Sequence, residues 1–464
     1  MCGIVGVSGV QDAARMAYLG LYSLQHRGQE SAGIVAVDGE GAARVHRGMG
    51  LVSDIFSEAA IASLPGNVAI GHTRYSTAGS SVLANAQPML AGYREGPLGL
   101  AHNGNLTNAL SLRTDLVAKG SIFQSSSDSE VLIHLIARSE AREPEDQLLD
   151  ALERVEGAYS LLVTVGRTMY AIVDPRGFRP LVLGRLGEGS VVASETCALD
   201  LMGATLVREL EPGEFLRIHG AEVEPLSGLK AKERRRCIFE LVYFSRPDSR
   251  VFGRSVDGVR RALGRELARE HPVPDADCVF SVPDSSNAMA LGFAEEAGIK
   301  LEHALIRNHY VGRTFINPTQ AGRNAKVKIK FNPVREVLEG KRVVVVDDSL
   351  VRGTTSRGLV QMIRQAGAAE VHFRVASPPI TGPCYYGIDT PTRAELIAAN
   401  HSVDEIRRHL GVESLGYLSL DGMIRAAGGQ PEFCHACFSG QYPTAVPADG
   451  ATGRHVAPLV TISV

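Results

Sequence analysis

Four consecutive valines followed at once by two aspartates constrain the fold of this chain more than any other feature. The stretch reads RVVVVDDSLVRGTTS and spans residues 342–356. An apolar run that ends in turn-forming residues is typical of a strand buried in a parallel sheet. Apolar residues then recur at helical spacing, and Gly367 stands where such a helix would stop. The stretch therefore predicts a strand, a polar loop and a helix, with the loop at the carboxyl end of the strand.

The polar loop has the chemistry of a sugar-phosphate site. Backbone N–H groups of such a loop and of the following helix N-terminus can bind a phosphate, and open α/β sheets bind ligands at strand carboxyl ends. Two carboxylates beside a phosphate repel it unless they accept hydrogen bonds from sugar hydroxyls or act through Mg2+. Asp347 and Asp348 therefore predict a sugar phosphate with a vicinal diol. The alternative is an ordinary strand end with a solvated turn, because short motifs also occur by chance.

Length and composition restrict the class of protein. The 464 residues are enough for two or three domains. A formal net charge of -3 and a pI near 6.5 give no indication of a nucleic-acid or anionic-membrane partner. The sequence has no apolar stretch long enough for a membrane span, and its first residues lack the pattern of a signal peptide. We therefore expect a cytoplasmic protein that binds neither membranes nor nucleic acid.

Cys2 is a candidate nucleophile because of its position. Removal of Met1 would place a thiol and a free α-amine on the same residue. An α-amine has a pKa of about 7.7–8.0, so part of it is neutral at pH 7 and can accept the proton of the thiol. A small buried residue at the start of a strand would look the same, so position alone leaves both interpretations open.

Five segments of the N-terminal half together resemble the glutaminase domain of the N-terminal-nucleophile amidotransferases. They are the opening CGIVG, LQHRGQESAG at 24–33, GHTRYSTAG at 71–79, AHNGNL at 101–106 and SDSE at 127–130. The resemblance covers residues 2–230 and implies an αββα sandwich. It also implies that Cys2 attacks the side-chain amide of glutamine.

The same resemblance implies roles for four further residues. Asn103 and the backbone N–H of Gly104 would stabilise the tetrahedral oxyanion, which requires preorganised donors. Arg74 would bind the α-carboxylate of glutamine, for which a guanidinium is suited, and Asp128 would bind the α-ammonium. Arg27 lies in one of the matching segments, and its role does not follow from the resemblance.

The 342–356 stretch resembles the phosphoribosyl pyrophosphate signature of the type I phosphoribosyltransferases. The resemblance implies a second, parallel-sheet domain, and the highly charged run at 229–236 indicates the boundary, so we expect this domain over residues 231–440. Ser285 would help Asp347 and Asp348 to place Mg2+. The substrate-binding residues that it implies are Asp347, Asp348, Ser349, Arg352, Gly353, Thr354 and Thr355.

Other parts of the C-terminal half give coarser predictions. The apolar run at 237–249 is strand-like and ends in a turn. Residues 309–320 and 326–332 lie between the predicted strands. The second stretch alternates lysines with apolar residues, which fits an edge strand with one solvated face, whereas by resemblance it is a mobile loop that closes over the substrate. The Pro-, Gly-, Ala- and Thr-rich residues 441–464 are predicted to be a poorly ordered tail.

Four of the seven cysteines suggest a metal centre. Cys434 and Cys437 form a CxxC pair, a pattern that zinc, redox and iron–sulfur sites all use. Four thiolates suit Zn2+ and iron equally. Together with Cys237 and Cys384, the pair occupies the positions of the [4Fe-4S] ligands in bacterial amidotransferases that carry a cluster, so the resemblance implies iron. Cys197 and Cys278 fall outside this pattern and are predicted to be inert buried thiols.

The two resemblances together imply a two-site reaction. Ammonia released from glutamine would attack C1 of phosphoribosyl pyrophosphate, giving 5-phosphoribosylamine, the first committed intermediate of purine synthesis. Purine nucleotides as feedback inhibitors and a homo-oligomer, commonly a tetramer, are further implied. Two alternatives are an amidotransferase with another acceptor, which the 342–356 stretch argues against, and a phosphoribosyl pyrophosphate sensor, which would not need a glutaminase.

Overall fold

A computed structural model of the chain describes residues 1–76, 79–308, 330–390 and 392–446. Within these ranges no helix is both long and apolar enough to cross a membrane. Residues 309–320 lie outside the described residues, as do most of the predicted substrate-covering loop, residues 326–332, and most of the predicted tail.

The N-terminal half contains two antiparallel sheets. Its strands are β1 Gly3–Ser8, β2 Ser31–Val37, β3 Ala43–Met49, β4 Val68–Arg74, β5 Met89–Tyr93, β6 Gly96–Leu106, β7 Gly157–Val165, β8 Thr168–Val173, β9 Val182–Leu186, β10 Gly189–Ala193, β11 Thr205–Glu209, β12 Phe215–His219 and β13 Glu222–Leu226. The seven-stranded sheet has the order β11-β9-β10-β1-β4-β2-β3, and the six-stranded sheet has the order β13-β12-β8-β7-β6-β5. The α-helices of this half are Ala13–Ser23, Val52–Ile55, Glu58–Ala62, Ala109–Ala118, Ser129–Arg138, Pro144–Leu152 and Thr196–Met202.

Alternating apolar side chains place these sheets between two helical layers. Ile4 and Leu162 belong to the core between the two sheets. Their neighbours Val5 and Leu161 point the other way, into the two cores that each sheet forms with its own helices. Because successive side chains of a strand face opposite sides, sheets that are apolar on both faces must be covered on both. The result is the αββα sandwich that was predicted.

The C-terminal half contains the strands β14 Arg236–Cys237, β15 Arg250–Val251, β16 Arg254–Ser255, β17 Cys278–Ser281, β18 Leu305–Arg307, β19 Phe331–Pro333, β20 Arg342–Asp347, β21 Glu370–Val375, β22 Ser414–Tyr417 and β23 Phe433–Cys434. It is built around a four-stranded parallel sheet of order β17-β20-β21-β22. Its α-helices are Val256–Glu270, Asn287–Ala297, Arg335–Leu338, Thr354–Gln365, Ile397–Asn400, Val403–Leu410, Leu420–Ala426 and Ala436–Ser439.

The valine run occupies the interior strand β20, as predicted. Val344 and Val346 pack into the core on one face of the sheet, whereas Val343 and Val345 pack into the core on the other. All four side chains are fully buried, so a continuous apolar run is what this position requires. The following helix ends at Gln365, just before the predicted stop at Gly367. The polar loop at the carboxyl end of β20 is thus held between a rigid strand and a rigid helix.

The prediction of a strand at residues 237–249 is wrong. Only Arg236–Cys237 forms a strand, and Glu240–Phe244 forms a π-helical turn. Leu241 and Val242 are buried, and so is Glu240, whose carboxylate is bound by two arginines of the N-terminal half. Contacts with those arginines, rather than local apolar periodicity, decide the conformation here.

The two halves share buried surfaces. Met1, beside the candidate nucleophile, packs into a core of the C-terminal half. A second apolar cluster joins Ala158 and Phe178 of the N-terminal half to Tyr386, Cys434 and Ala436. The division at residue 230 stays a prediction. Near it, Arg236 is buried, and its guanidinium lies 3.4 Å from the carboxylate of Glu432. Cys2 therefore lies where the two halves meet.

Candidate active site

Cys2 lies at the amino end of the interior strand β1, directly before its first residue. Its side chain is buried, and its thiol Sγ is 3.7 Å from the carbonyl oxygen of Tyr75. Its backbone N–H donates to Oδ1 of Asn103 at 3.2 Å. The structure therefore brings the candidate nucleophile into contact with one of the two predicted oxyanion donors.

Asn103 and Gly104 lie near the end of β6. The Asn103 amide nitrogen Nδ2 is buried, and within the described part of the chain it has no hydrogen-bond partner. A buried donor without a partner is costly, and the position beside a thiol suits it to an anion that forms during a reaction. A Cβ atom at Gly104 would lie 2.0 Å from the carbonyl oxygen of Ala158, so only glycine fits this part of the strand.

The predicted glutamine-binding residues lie on neighbouring elements. Arg74 ends β4 with its side chain buried, and its guanidinium donates to the carbonyl oxygen of Ser80 at 3.2 Å. Asp128 precedes the helix Ser129–Arg138, and its Oδ2 accepts a hydrogen bond from the backbone N–H of Leu106 at 3.0 Å. Asp128 is thus fixed to β6 two residues beyond Gly104. One positive and one negative group therefore lie near the ends of the strands that carry the thiol and the amide.

A buried ionic cluster lies behind Cys2 and was not predicted from the sequence. Nε of Arg27 donates to the Cys2 carbonyl oxygen at 2.9 Å, and its terminal nitrogens bind Glu195 and Glu240. Arg179 lies 3.3 Å from the same Glu240 carboxylate. All four side chains are fully buried. Arg27 was noticed in its motif, but Glu240 belongs to the C-terminal half and nothing local distinguishes it.

Replacing Glu240 with glutamine should destabilise the protein strongly. The Glu240 carboxylate balances the charges of Arg27 and Arg179, and removing one partner of a buried ion pair costs about 3–5 kcal/mol. Thermal unfolding at one fixed scan rate measures the change. Glu58→Gln, which breaks the exposed pair with Arg15, should leave the midpoint nearly unchanged. Equal midpoints for the two variants would contradict a structural role of the buried cluster.

The second group of predicted residues meets at the carboxyl end of β20. Ser285 donates a hydrogen bond to Oδ1 of Asp348 at 2.6 Å, and Ser349 donates to Oδ2 of the same carboxylate at 2.6 Å. Asp347 accepts hydrogen bonds from the Ser286 hydroxyl and from the Asp348 N–H. Ser286 was missed because a serine in a loop carries no distinguishing signal. Two carboxylates and three hydroxyls thus form one oxygen-rich cluster.

The aspartates carry an electrostatic cost. Burial and, second, the charge of Asp348 raise the pKa of Asp347 well above its ordinary value. Burial also raises the pKa of Asp348, although hydrogen bonds from Ser285 and Ser349 oppose that rise. Adjacent buried carboxylates with raised pKa values gain stability when a cation binds, because the cation offsets desolvation and mutual repulsion. The donor set of carboxylate and hydroxyl oxygens therefore fits Mg2+ in chemical type.

The remaining predicted substrate-binding residues of the loop are mostly exposed. Gly353, with a φ of 73°, precedes the helix Thr354–Gln365, a conformation that favours glycine. Thr354 and Thr355 are exposed in the first turn, so their N–H groups lie at the helix N-terminus, where anions bind favourably. Arg352 is exposed, and its guanidinium lies 3.0 Å from the carboxylate of Glu395. Its predicted role in substrate binding requires it to exchange that partner for the substrate.

The four cysteines predicted as ligands come from separate segments that pack together. Cys237 and Cys434 are directly paired in the parallel ladder of β14 and β23. Cys437 follows one turn later, and its carbonyl oxygen accepts hydrogen bonds from Thr381 and Gly382, next to the segment of Cys384. All seven cysteines of the chain are free thiols. Among the residues that the structure describes, no three or more His, Cys, Asp or Glu side chains form a group that could hold a single metal ion.

The environment of these thiols is apolar. Burial raises the pKa of Cys237 to about 11 and places the pKa values of Cys434 and Cys437 above the ordinary range of a thiol. Thiolates in such surroundings require a cationic group to offset their charge. A set of sulfur donors fits an iron–sulfur group in chemical type.

Comparisons with known proteins show what this chain is similar to. The family described as a glutamine amidotransferase domain matches residues 72–201. Amidophosphoribosyltransferase 2 (chloroplastic) of Arabidopsis thaliana is 54% identical over 95% of this chain and 79% of that protein. Amidophosphoribosyltransferase of Bacillus subtilis is 49% identical over 97% of this chain and 95% of that protein.

Solved structures show the same similarity. The glutamine phosphoribosylpyrophosphate amidotransferase from B. subtilis, solved in complex with ADP and GMP, has a TM-score of 0.92 and 48% identity. The match covers 97% of this chain and 99% of that one. Identity at this level over nearly the full length is accompanied by the same fold in both halves. The chain therefore belongs to the amidophosphoribosyltransferase family.

Proposed function

We propose that this chain transfers the amide nitrogen of glutamine to C1 of phosphoribosyl pyrophosphate, releasing glutamate and pyrophosphate and forming 5-phosphoribosylamine, the first step of purine synthesis. One observation carries the proposal beyond family membership. Cys2 lies beside the Asn103 amide nitrogen, which has no hydrogen-bond partner among the described residues, and at the junction with the half that carries the Asp347–Asp348 cluster. Groups suited to a nitrogen donor site and groups suited to an acceptor site thus occur in one chain, in two halves that are in contact.

The first half-reaction uses groups of the N-terminal half. After removal of Met1, the α-amine of Cys2 takes the thiol proton, and the sulfur attacks the glutamine amide carbon. Asn103 Nδ2 and the Gly104 N–H bind the oxyanion, and Arg74 and Asp128 hold the α-groups of glutamine. The proton passes to the leaving ammonia, and water then hydrolyses the thioester to glutamate.

The second half-reaction uses the polar loop of the C-terminal half. Asp347 and Asp348 accept hydrogen bonds from the ribose hydroxyls, and Ser349, Gly353, Thr354 and Thr355 bind phosphate through hydroxyl and backbone N–H groups. Asp347, Asp348 and Ser285 would hold Mg2+, which neutralises the charge of the departing pyrophosphate. Ammonia is mostly protonated in water at pH 7, so transfer through the protein interior keeps it nucleophilic.

Product analysis tests this assignment directly. Purified protein supplied with glutamine, phosphoribosyl pyrophosphate and Mg2+ should form glutamate, pyrophosphate and 5-phosphoribosylamine in equal amounts. The equality follows because one amide nitrogen displaces one pyrophosphate. Glutamate without pyrophosphate would identify a glutaminase with another acceptor, and neither product would contradict the proposal altogether.

We further propose that Cys237, Cys384, Cys434 and Cys437 hold a [4Fe-4S] cluster with a structural or oxygen-sensing role. When bound, the cluster would cross-link three segments of the C-terminal half. Protein purified without oxygen should contain about four irons per chain and absorb near 400 nm. Cys434→Ser should lose that iron, whereas Cys278→Ser, outside the set, should keep it. Zinc in place of iron would contradict the assignment.

Regulation, assembly and location are also proposals. The B. subtilis relative was solved in complex with ADP and GMP. We therefore propose that purine nucleotides inhibit this chain. From the family resemblance we propose assembly into a homo-tetramer, and from the sequence a cytoplasmic location. Inhibition assays with the two nucleotides and light scattering of the purified protein measure the first two properties.

A further inference from the structure

A short loop of the C-terminal half touches the strand that carries the oxyanion donors. The amide nitrogen of Asn105, two residues beyond Asn103 on β6, donates to the carbonyl oxygen of Tyr385 at 2.9 Å. The Asn105 side chain is buried. A Cβ atom added at Gly387 would lie 2.8 Å from the carbonyl oxygen of Gly104. Residues 384–387, here called the contact loop, therefore lie against Gly104 and Asn105.

The contact loop is itself firmly held. Arg179, which is fully buried, donates from Nε to the Tyr386 carbonyl oxygen at 3.0 Å. The Tyr386 ring stacks on Phe178, with centroids 4.4 Å apart and an interplanar angle of 15°. The loop begins at Cys384, whose Sγ accepts a hydrogen bond from the Tyr386 N–H at 3.3 Å. The loop is thus a rigid support rather than a surface segment that happens to be near β6.

Residues 441–446, within the predicted tail, add to this support. The Tyr442 hydroxyl donates to the Pro383 carbonyl oxygen at 2.7 Å, and the Thr444 N–H donates to the Tyr386 hydroxyl at 3.1 Å. The prediction of poor order is therefore wrong for these residues, because their polar groups bind the contact loop.

We propose that Asn105 is a positioning residue of the glutaminase site, which sets the position of Asn103 and Gly104 through its bond to the contact loop. Asn103 and Asn105 share a face of β6, because side chains of a strand alternate. Fixing Asn105 against Tyr385 therefore fixes the peptide between the two asparagines. An oxyanion donor must be held closely, since a displacement of about 1 Å can cost about 10²-fold in rate. The inference rests on the proposed glutaminase function and adds a residue to it.

Two variants remove the bond from the N-terminal side. Asn105→Leu has a similar volume without the donor, and Asn105→Asp keeps the shape but presents an acceptor to a carbonyl. Both should lower the glutamine-dependent kcat by about 10- to 100-fold, with the KM for glutamine within about twofold, because Arg74 and Asp128 are untouched. Ammonia-dependent synthesis should also stay within about twofold. The rate at which iodoacetamide alkylates Cys2, measured by peptide mass spectrometry, should be the same in these variants as in the unmodified protein. A general loss of structure would change that rate.

A third variant and a control complete the test. Gly387→Ala presses a methyl group against the Gly104 carbonyl from the C-terminal side, and it should give the same pattern without any change in the glutaminase half. Asn108→Asp removes a similar amide-to-carbonyl bond, to Arg154, within the N-terminal half only, and should behave as the unmodified protein. The proposed function is tested first: the unmodified protein should carry out glutamine-dependent synthesis, and Cys2→Ala should lose it. A normal kcat in both Asn105→Asp and Gly387→Ala, or an equal fall in ammonia-dependent synthesis, would then overturn this inference alone.

Discussion

Replacing Cys2 with alanine should abolish glutamine-dependent formation of 5-phosphoribosylamine and leave ammonia-dependent formation near its normal rate. The thiol is the only proposed nucleophile toward glutamine, and removing a nucleophile of this kind costs about 10⁴- to 10⁶-fold in kcat. Alanine leaves the buried position filled by a small apolar residue. The second site lies beyond the junction of the two halves and does not use the thiol, so added ammonia should still reach its acceptor.

Cys197→Ala is the matched control for this experiment. Cys197 is also a buried thiol of the N-terminal half, and burial raises its pKa to about 12, which keeps it protonated and inert. Both activities should therefore survive in this variant. Loss of ammonia-dependent synthesis in Cys2→Ala would show that the two sites do not divide the reaction as proposed.

Replacing Asp347 with asparagine should impair both glutamine- and ammonia-dependent synthesis, by at least about 10²-fold, because it removes electrostatic stabilisation at the acceptor site. The amide keeps the size of the side chain but removes the Asp347 carboxylate, one of the adjacent pair whose charges a cation would offset. Binding of Mg2+ and phosphoribosyl pyrophosphate should weaken together, and calorimetric titration measures both.

The amino ends of the strands of the same sheet supply a control for Asp347→Asn. Asp277 immediately precedes β17, and its carboxylate accepts a hydrogen bond from the backbone N–H of Arg342, the first residue of β20. Asp277→Asn therefore changes the same residue type at the amino ends of the strands, away from the proposed site. It should keep near-normal activity. Near-normal rates for Asp347→Asn as well would contradict the role of the aspartate pair.

Local sequence predicted those parts of the structure that depend on local chemistry. The valines of β20 alternate between two cores, and their run directly reports burial on both faces of a sheet. Gly104 and Gly353 were identified within motifs, and the structure shows a close backbone approach at the first and a positive φ at the second. Asn103 was placed near Cys2 by resemblance, and the two residues do share a hydrogen bond.

Features that depend on contacts between the two halves were not predictable from local pattern. Glu240 interrupts an apolar run that looked like a strand, and its partners Arg27 and Arg179 lie far away in sequence. Asn105 stands one residue beyond the predicted oxyanion donors, but its partner Tyr385 belongs to the other half. A single sequence contains no record of such pairings, because neither residue type nor spacing indicates which distant segment will pack there. The roles of the site residues themselves stay predictions until the variants are measured.

The rate of glutamate release from glutamine, measured with and without phosphoribosyl pyrophosphate and Mg2+, tests the central claim most directly. If one chain couples a glutaminase to an acceptor site, occupation of the second site should raise the rate at the first. Asp347→Asn supplies the internal control, because it should keep the basal release and lose the rise. A clear increase in the unmodified protein that is absent from Asp347→Asn is the predicted result. An unchanged rate in the unmodified protein would contradict the coupled two-site account.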